Sequence, residues 1–118
     1  MIEILIAKVF ATRNAVHLYH WKTKSYAQHV ALGDLYEALI SNLDAVVECH
    51  QGAFNPVKIT ELPALVLPKD IIKHLEEEVT WIELNAEEIC QSIEATENLL
   101  ANLTGSYFTT IYKLKNLS

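Results

Sequence analysis

Apolar residues recur along the chain at spacings of three and four, the period of a helix that turns one face to a core. Four stretches follow this period, separated by turn signals or by prolines. Their apolar stripes are Ile2, Leu5, Val9, Val16 and Tyr19; then Leu32, Leu35, Leu39, Leu43 and Val46; then Ile72, Leu75, Val79, Ile82, Ala86, Ile89 and Ile93; and last Leu100, Leu103, Tyr107, Ile111 and Leu114. The pattern predicts an all-α protein of four helices.

Local signals predict where these helices begin and end. The first runs from Ile2 to Trp21, and Ser25 followed by Gln28 is a capping box that starts the second. Gly52 stands where a helix C-terminus is expected, and Thr96 is a candidate cap for the fourth helix. The third helix starts near Asp70. Its many glutamates, which we interpret as a solvated surface, are Glu76, Glu77, Glu78, Glu83, Glu87 and Glu88.

A long connection separates the second and third helices. Residues 53 to 68 lack a helical period and contain Pro56, Pro63 and Pro68, each of which removes an amide donor. Sixteen extended residues span up to ~53 Å, enough to return along a helix of ~39 Å. Four helices with one such crossover predict a ferritin-like four-helix bundle. The apolar side chains of the crossover, among them Leu65, should pack on their own domain or on another subunit.

Composition narrows the classes of function. A length of 118 residues predicts one domain, residues 1–118. The net charge of -6 and the scattered basic residues do not support DNA binding, which needs clustered Lys and Arg. No apolar run approaches the ~20 residues of a membrane span, and no export signal precedes the first helix. We therefore expect a cytoplasmic protein in which Cys49 and Cys90 are reduced thiols.

The stretch from Tyr19 to Glu48 carries most of the candidate chemistry, because His20, His29, Asp44 and Glu48 are all metal-ligand types. His29 and Asp44 are fifteen residues apart on one helix, or ~22 Å, whereas ligands of one ion lie within ~4 to 5 Å of each other. If two copies of the helix pack antiparallel about a twofold axis, His29 of one copy approaches Asp44 and Glu48 of the other. Two imidazoles and two carboxylates suit iron(II), with zinc or manganese as alternatives.

Other histidine and acidic residues are weaker candidates for metal ligands. His17 lies one turn before His20 and is more often a residue that supports a ligand than a ligand itself. Glu37 shares the polar face of the second helix and is a further candidate ligand, although an interface role is equally in keeping with its position. His50 and His74 are interpreted as core-edge or surface residues without a role.

These residues resemble the Dps family, ferritin-like proteins that oxidise iron and store it in hollow shells. The resemblance lies in His17-Leu-Tyr-His20-Trp21 at a helix end, a tight turn, His29 early in the second helix, and Asp44-Ala-Val-Val-Glu48. It covers about the first 52 residues and extends to short Dps-like proteins, some of them phage-encoded. It implies a ferroxidase that oxidises iron(II) with hydrogen peroxide or dioxygen at a mono-iron or di-iron site. In this family His20 and His29 of one subunit would join Asp44 and Glu48 of its mate.

The resemblance also implies a homo-oligomer, at least a twofold dimer and in the larger case a dodecameric shell, in a bacterial host or encoded by a phage. Two features depart from the family: the turn before His29 is three residues shorter, and Gly33 replaces a carboxylate one turn after His29. No Glu-x-x-His occurs, which disfavours a di-iron centre inside one bundle. A second class of function remains, a non-catalytic ferritin-like bundle that serves as an oligomeric structural or partner-binding module.

Overall fold

Four α-helices account for most of the chain in a computed structural model that describes residues 1–64 and 66–118. The helices are α1 (Ile2–Lys22), α2 (Tyr26–Ala53), α3 (Ile71–Cys90) and α4 (Glu94–Asn116). Within the described residues no strand forms, so the all-α prediction is confirmed. The predicted order and approximate length of the four helices also agree with the structure.

The helices pack as a bundle in which α1 and α4 each lie against both α2 and α3. A turn of three residues joins α1 to α2, which makes them antiparallel neighbours. Near the end of α1, the Tyr19 hydroxyl donates to the Pro68 carbonyl just before α3 begins. Two turns closer to the N-terminus of α1, Thr12 Oγ1 lies 2.8 Å from His74 Nε2 of α3. These contacts place the start of α3 beside the end of α1, so α3 runs antiparallel to α1.

The bundle core is made of the predicted stripes. In α2 and α4 all ten predicted apolar residues are buried, with Leu39 and Leu103 fully inaccessible. In α1 and α3 the stripes are buried except at Tyr19, Ile72 and Ala86, which are only half buried. The placement of Ile93 in the third helix is wrong, because α3 ends at Cys90 and Ile93 is the N-cap residue of α4. Burying such a stripe along four helices supplies the main favourable free energy of folding, at about 25 cal/mol per Å² of apolar surface.

Helix ends agree with the sequence at some positions and differ at others. Ser25 caps α2 as predicted, because its side chain accepts from the Gln28 amide at 3.2 Å. The prediction for Gly52 is wrong, since α2 continues to Ala53 and is capped at Phe54. The prediction for Thr96 is also wrong. The fourth helix begins at Glu94, and Thr96 is a buried residue inside it whose hydroxyl lies 3.4 Å from Cys49 Sγ.

The connection between α2 and α3 has no regular structure in its described residues, 54–64 and 66–70. Val57 is half buried and packs against the core, whereas Val66 is 85% exposed. The expectation that the apolar residues of this segment pack on their own domain therefore holds only in part. Leu65, also named in that expectation, lies outside the described residues. None of the described helices is long and apolar enough to cross a membrane.

Candidate metal centre

His20 in the last turn of α1 and His29 in the first turn of α2 form a stacked pair across the short α1–α2 turn. Their ring centroids are 3.7 Å apart and the ring planes are 20° from parallel. His20 Nδ1 lies 2.6 Å from the His29 carbonyl oxygen, and His29 Nδ1 lies 2.8 Å from the His20 carbonyl oxygen. Each imidazole is thus fixed by the backbone of the other residue.

These reciprocal bonds determine the tautomer of both rings. A carbonyl oxygen can only accept, so each Nδ1 must carry the proton that it donates. In the neutral ring, Nε2 then holds the free lone pair, which is the form in which histidine binds a metal. When a histidine binds a metal through Nε2, a hydrogen bond donated by its Nδ1–H orients the ring and raises the basicity of the ligand. The pair therefore presents two oriented Nε2 donors.

One of these bonds also satisfies the C-terminal end of α1. The His20 carbonyl is one of the last carbonyls of α1, which have no partner within the helix. It accepts from His29 instead. The α1–α2 turn and the orientation of the two Nε2 atoms consequently depend on the same two side chains.

Gly33 explains how the His20 ring comes so close to α2. A Cβ built at residue 33 would lie 3.0 Å from His20 Cε1 and 3.1 Å from His20 Nδ1, closer than ordinary contact. The resemblance to Dps proteins identified Gly33 only as a missing carboxylate. In the structure, the His20 imidazole occupies the space beside the α2 backbone that a side chain at residue 33 would need.

Aromatic residues support the pair from one side. His17 stacks on Tyr36 with ring centroids 4.0 Å apart and planes 11° from parallel, and it contacts Trp21 at 4.5 Å. Partial burial first, and then the charges of Arg13 and His20, lower the pKa of His17 below its ordinary value of 6.5. An uncharged His17 can stack on Tyr36 without introducing a positive charge next to the histidine pair. Its centroid is 6.1 Å from that of His20.

The carboxylates lie elsewhere on α2. Glu37, Asp44 and Glu48 are all exposed on this helix, and Asp44 is about 22 Å along the axis from His29. Among the residues that the structure describes, no group of three or more His, Cys, Asp or Glu side chains is placed to hold a metal. A single subunit thus brings together His20 and His29, with His17 adjacent, and leaves the predicted carboxylate ligands apart from them.

A second polar cluster was missed by the sequence reasoning. Glu78 is only 6% exposed, and its carboxylate accepts from the Tyr107 hydroxyl inside the bundle. His74 lies beside it, with Nε2 3.8 Å from Glu78 Oε1. The interpretation of Glu78 as solvated surface is therefore wrong, whereas His74 lies at the edge of the core, as predicted. The sequence feature that indicates burial of Glu78 is its position. Residue 78 follows Leu75 by three residues and precedes Ile82 by four, which places it on the buried stripe of α3.

A groove of about 610 Å³ lies between α3 and α4. Its lining includes Glu83, Glu87, Cys90 and Glu97. None of the predicted metal ligands contributes to it, because these lie on α1 and α2. The candidate chemistry and this groove are consequently on different pairs of helices.

Comparison with curated proteins and with solved structures gives no match. A sequence profile matches residues 20–114, a range that begins at His20 and includes His29, Asp44 and Glu48 but not His17. The profile covers most of the chain and is that of a family of unknown function (DUF5856), and the chain belongs to this family.

Proposed function

We propose that this protein is a Dps-like iron-binding protein and ferroxidase, a ferritin-like bundle whose α2–α3 connection is the crossover of that fold. Its metal sites would be shared between twofold-related subunits, for detoxifying iron and peroxide or for storing iron. The observation that carries the proposal is the reciprocal hydrogen bonding of His20 and His29, which leaves both Nε2 atoms free to bind a metal.

The missing half of the site would come from a second subunit. Asp44 and Glu48 are one turn apart and exposed, so they can act together on a metal that another chain presents. If two α2 helices cross antiparallel, the position midway between His29 and the Asp44–Glu48 pair lies near Glu37 and Ala38, and the twofold axis would pass there. Glu37 of each subunit would then face its own copy, as an additional ligand or as a pair of like charges.

The donor set of two imidazoles and two carboxylates matches the preferences of iron(II), and zinc or manganese could also bind. Iron(II) is the substrate in this proposal. Each iron(II) ion gives up one electron, and hydrogen peroxide takes up two electrons and two protons to form two waters. The protein residues contribute by binding and orienting the iron. His20 and His29 provide neutral donors, and Asp44 and Glu48 offset the charge of the cation.

The test is an anaerobic iron(II) titration followed by aerobic addition, with the ferric product monitored by its absorbance. We expect stoichiometric binding and ferric formation faster than in buffer. The double variant Asp44→Asn, Glu48→Gln should abolish both while leaving dimerisation nearly intact. The matched control, Glu83→Gln with Glu87→Gln on α3, should bind iron as the wild type does. A protein that is monomeric at micromolar concentration by light scattering would rule out a shared site.

A non-catalytic ferritin-like bundle, acting as an oligomeric structural or partner-binding module, is the second candidate. It is favoured by the fact that the hydrogen bonds of His20 and His29 close the α1–α2 corner without any metal. Under this alternative the protein dimerises, yet iron(II) does not bind, and the Asp44 and Glu48 substitutions change nothing in the titration.

A further inference from the structure

Four polar side chains from three helices meet inside the bundle, away from the histidine pair. Thr12 of α1 and Tyr107 of α4 are fully inaccessible, and Glu78 of α3 is 6% exposed. His74 lies one turn before Glu78 on α3, and its side chain remains 31% exposed. We call these four residues the core polar network.

The network reaches from the buried carboxylate to the surface. The Tyr107 hydroxyl donates to Glu78 Oε2. His74 Nε2 lies 3.8 Å from Glu78 Oε1 and 2.8 Å from Thr12 Oγ1. The half-exposed His74 therefore links the carboxyl group of α3 both to the Thr12 hydroxyl of α1 and to solvent.

The buried position is unfavourable for a charged carboxylate. Desolvation is the largest influence on Glu78 and raises its pKa above the ordinary 4.5, although the nearby hydroxyl groups of Thr12 and Tyr107 and the charges of His74 and Lys8 act in the opposite direction. Desolvation also raises the pKa of Tyr107 well above 10.0, and its position next to Glu78 adds to this effect, so the phenol stays neutral. The groups that face Glu78 are thus Lys8 from α1, His74 from α3 and Tyr107 from α4.

Lys8 is the cation on α1, and it is positioned over a neighbouring ring. Its ammonium group lies 4.9 Å from the centroid of the Trp81 ring, and the salt bridges of the structure do not pair it with Glu78. The Glu78 carboxylate therefore has the Tyr107 hydroxyl as a donor and no direct lysine partner. His74 Nε2, 3.8 Å away, offsets its charge only when the imidazole is protonated. Beside a neutral His74, ionising Glu78 places a negative charge at the interface of α1, α3 and α4.

We propose that the core polar network is a pH-sensitive lock, in which a protonated Glu78 holds α1, α3 and α4 together and an ionised Glu78 loosens α3. The contact between α1 and α3 is the smallest of the four main helix–helix interfaces, so a charge placed there should weaken it most. None of the network residues is a proposed iron ligand, and the lock stands whether or not the chain binds iron.

The sign of the pH effect follows from the raised pKa. The folded protein holds a proton on Glu78 at pH values where the unfolded chain has released it. The stabilisation is fully present below the ordinary value of 4.5 and is lost as the pH rises through the folded pKa. Each unit by which folding raises the pKa changes the folding equilibrium about tenfold.

Hydrogen exchange of the full chain, expressed as protection factors so that the intrinsic rate cancels, tests the lock between about pH 4 and about pH 8. We expect protection of α3 amides in residues 72–82 to fall with rising pH in the wild type, about tenfold per unit of raised pKa. Glu78→Gln should remove this fall, because the amide cannot ionise and still accepts from Tyr107. Glu77→Gln is the matched control, as Glu77 is exposed and pairs only with Lys73 at the surface, and it should behave as the wild type does.

The variant Tyr107→Phe provides a second test, which remains informative even if Glu78→Gln does not fold. Without the phenol, the ionised carboxylate loses a donor, so the loss of protection should be larger than in the wild type and should continue to higher pH. Parallel pH profiles for the wild type, Glu78→Gln and Tyr107→Phe would overturn the proposal, because Glu78 would then not control the α3 contacts. A profile altered equally by Glu77→Gln would overturn it as well.

Discussion

Replacing Gly33 with alanine tests whether the His20 ring is held against α2 as the structure describes. The new Cβ would lie 3.0 Å from His20 Cε1 and 3.1 Å from Nδ1, so the ring would have to move by a few tenths of an ångström. The ring has little room to do so, because it stacks 3.7 Å from His29 and its Nδ1 donates over 2.6 Å to the His29 carbonyl. We expect that bond to be weakened or lost.

Two effects of comparable size then oppose each other in the stability of Gly33→Ala. Alanine is favoured over glycine in a helix interior by about 0.8 to 1.0 kcal/mol. Losing one hydrogen bond costs about 0.5 to 1.5 kcal/mol. The free energy of unfolding should therefore stay within about 1 kcal/mol of the wild type. A Cβ added at Gly105 in α4 would meet nothing within 4 Å, so Gly105→Ala should be stabilised by about 1 kcal/mol.

Urea unfolding of the two variants and an iron(II) titration of each give the comparison. Gly33→Ala should lack the gain shown by Gly105→Ala and should bind iron about 10 to 100 times more weakly, the usual cost of disturbing the support of a metal ligand. If Gly33→Ala is stabilised as much as Gly105→Ala and binds iron normally, the close approach of His20 to Gly33 is not a feature of the protein.

Two further predictions concern the ends of α1 and α2. Ser25→Ala should destabilise the protein by about 1 kcal/mol in urea unfolding, because the Gln28 amide loses its capping oxygen, and an unchanged midpoint would contradict the cap. Tyr19→Phe removes the hydroxyl that donates to the Pro68 carbonyl, so it should cost about 1 kcal/mol and speed proteolysis within residues 55–70. Cleavage at the wild-type rate would show that this hydrogen bond does not hold the segment between α2 and α3 against α1.

The helical architecture could be predicted because the apolar period is a local property of the sequence. Leu32, Leu35, Leu39 and Leu43 recur at a spacing that only a helix places on one face, and all four are buried. Ser25 was also recognisable, since a capping box needs only neighbouring residues. Such signals do not depend on how the helices later pack.

Helix ends that depend on tertiary contacts could not be predicted in this way. Thr96 has a good capping side chain, yet the turn after α3 is made by Gln91 and Ser92 with φ of 49° and 65°, and α4 starts before Thr96. The residue is buried beside Cys49, a contact that the sequence does not reveal. Gly52 similarly stays within α2, because the chain after it leaves the helix only at Phe54.

At the candidate site too, features set by neighbouring residues could be predicted from the sequence, whereas contacts between helices could not. His20 and His29 could be selected by residue type and spacing, but their reciprocal bonds depend on the way the short turn brings one ring to the backbone of the other. Glu78 was misassigned because three consecutive glutamates suggest a solvated face by composition. Its angular position beside Leu75 and Ile82 indicates burial instead, as the structure confirms.

If the proposed function is correct, one chain supplies two histidines and a twofold-related chain supplies two carboxylates to the same iron. An anomalous difference map, recorded at the iron absorption edge from crystals grown with iron(II), would locate the ion and its ligands together. We expect a peak about 2.1 Å from the Nε2 atoms of His20 and His29, with Asp44 and Glu48 of a twofold-related chain completing the coordination. A peak bound by residues of one chain only, or no peak at the histidine pair, would rule out the shared site.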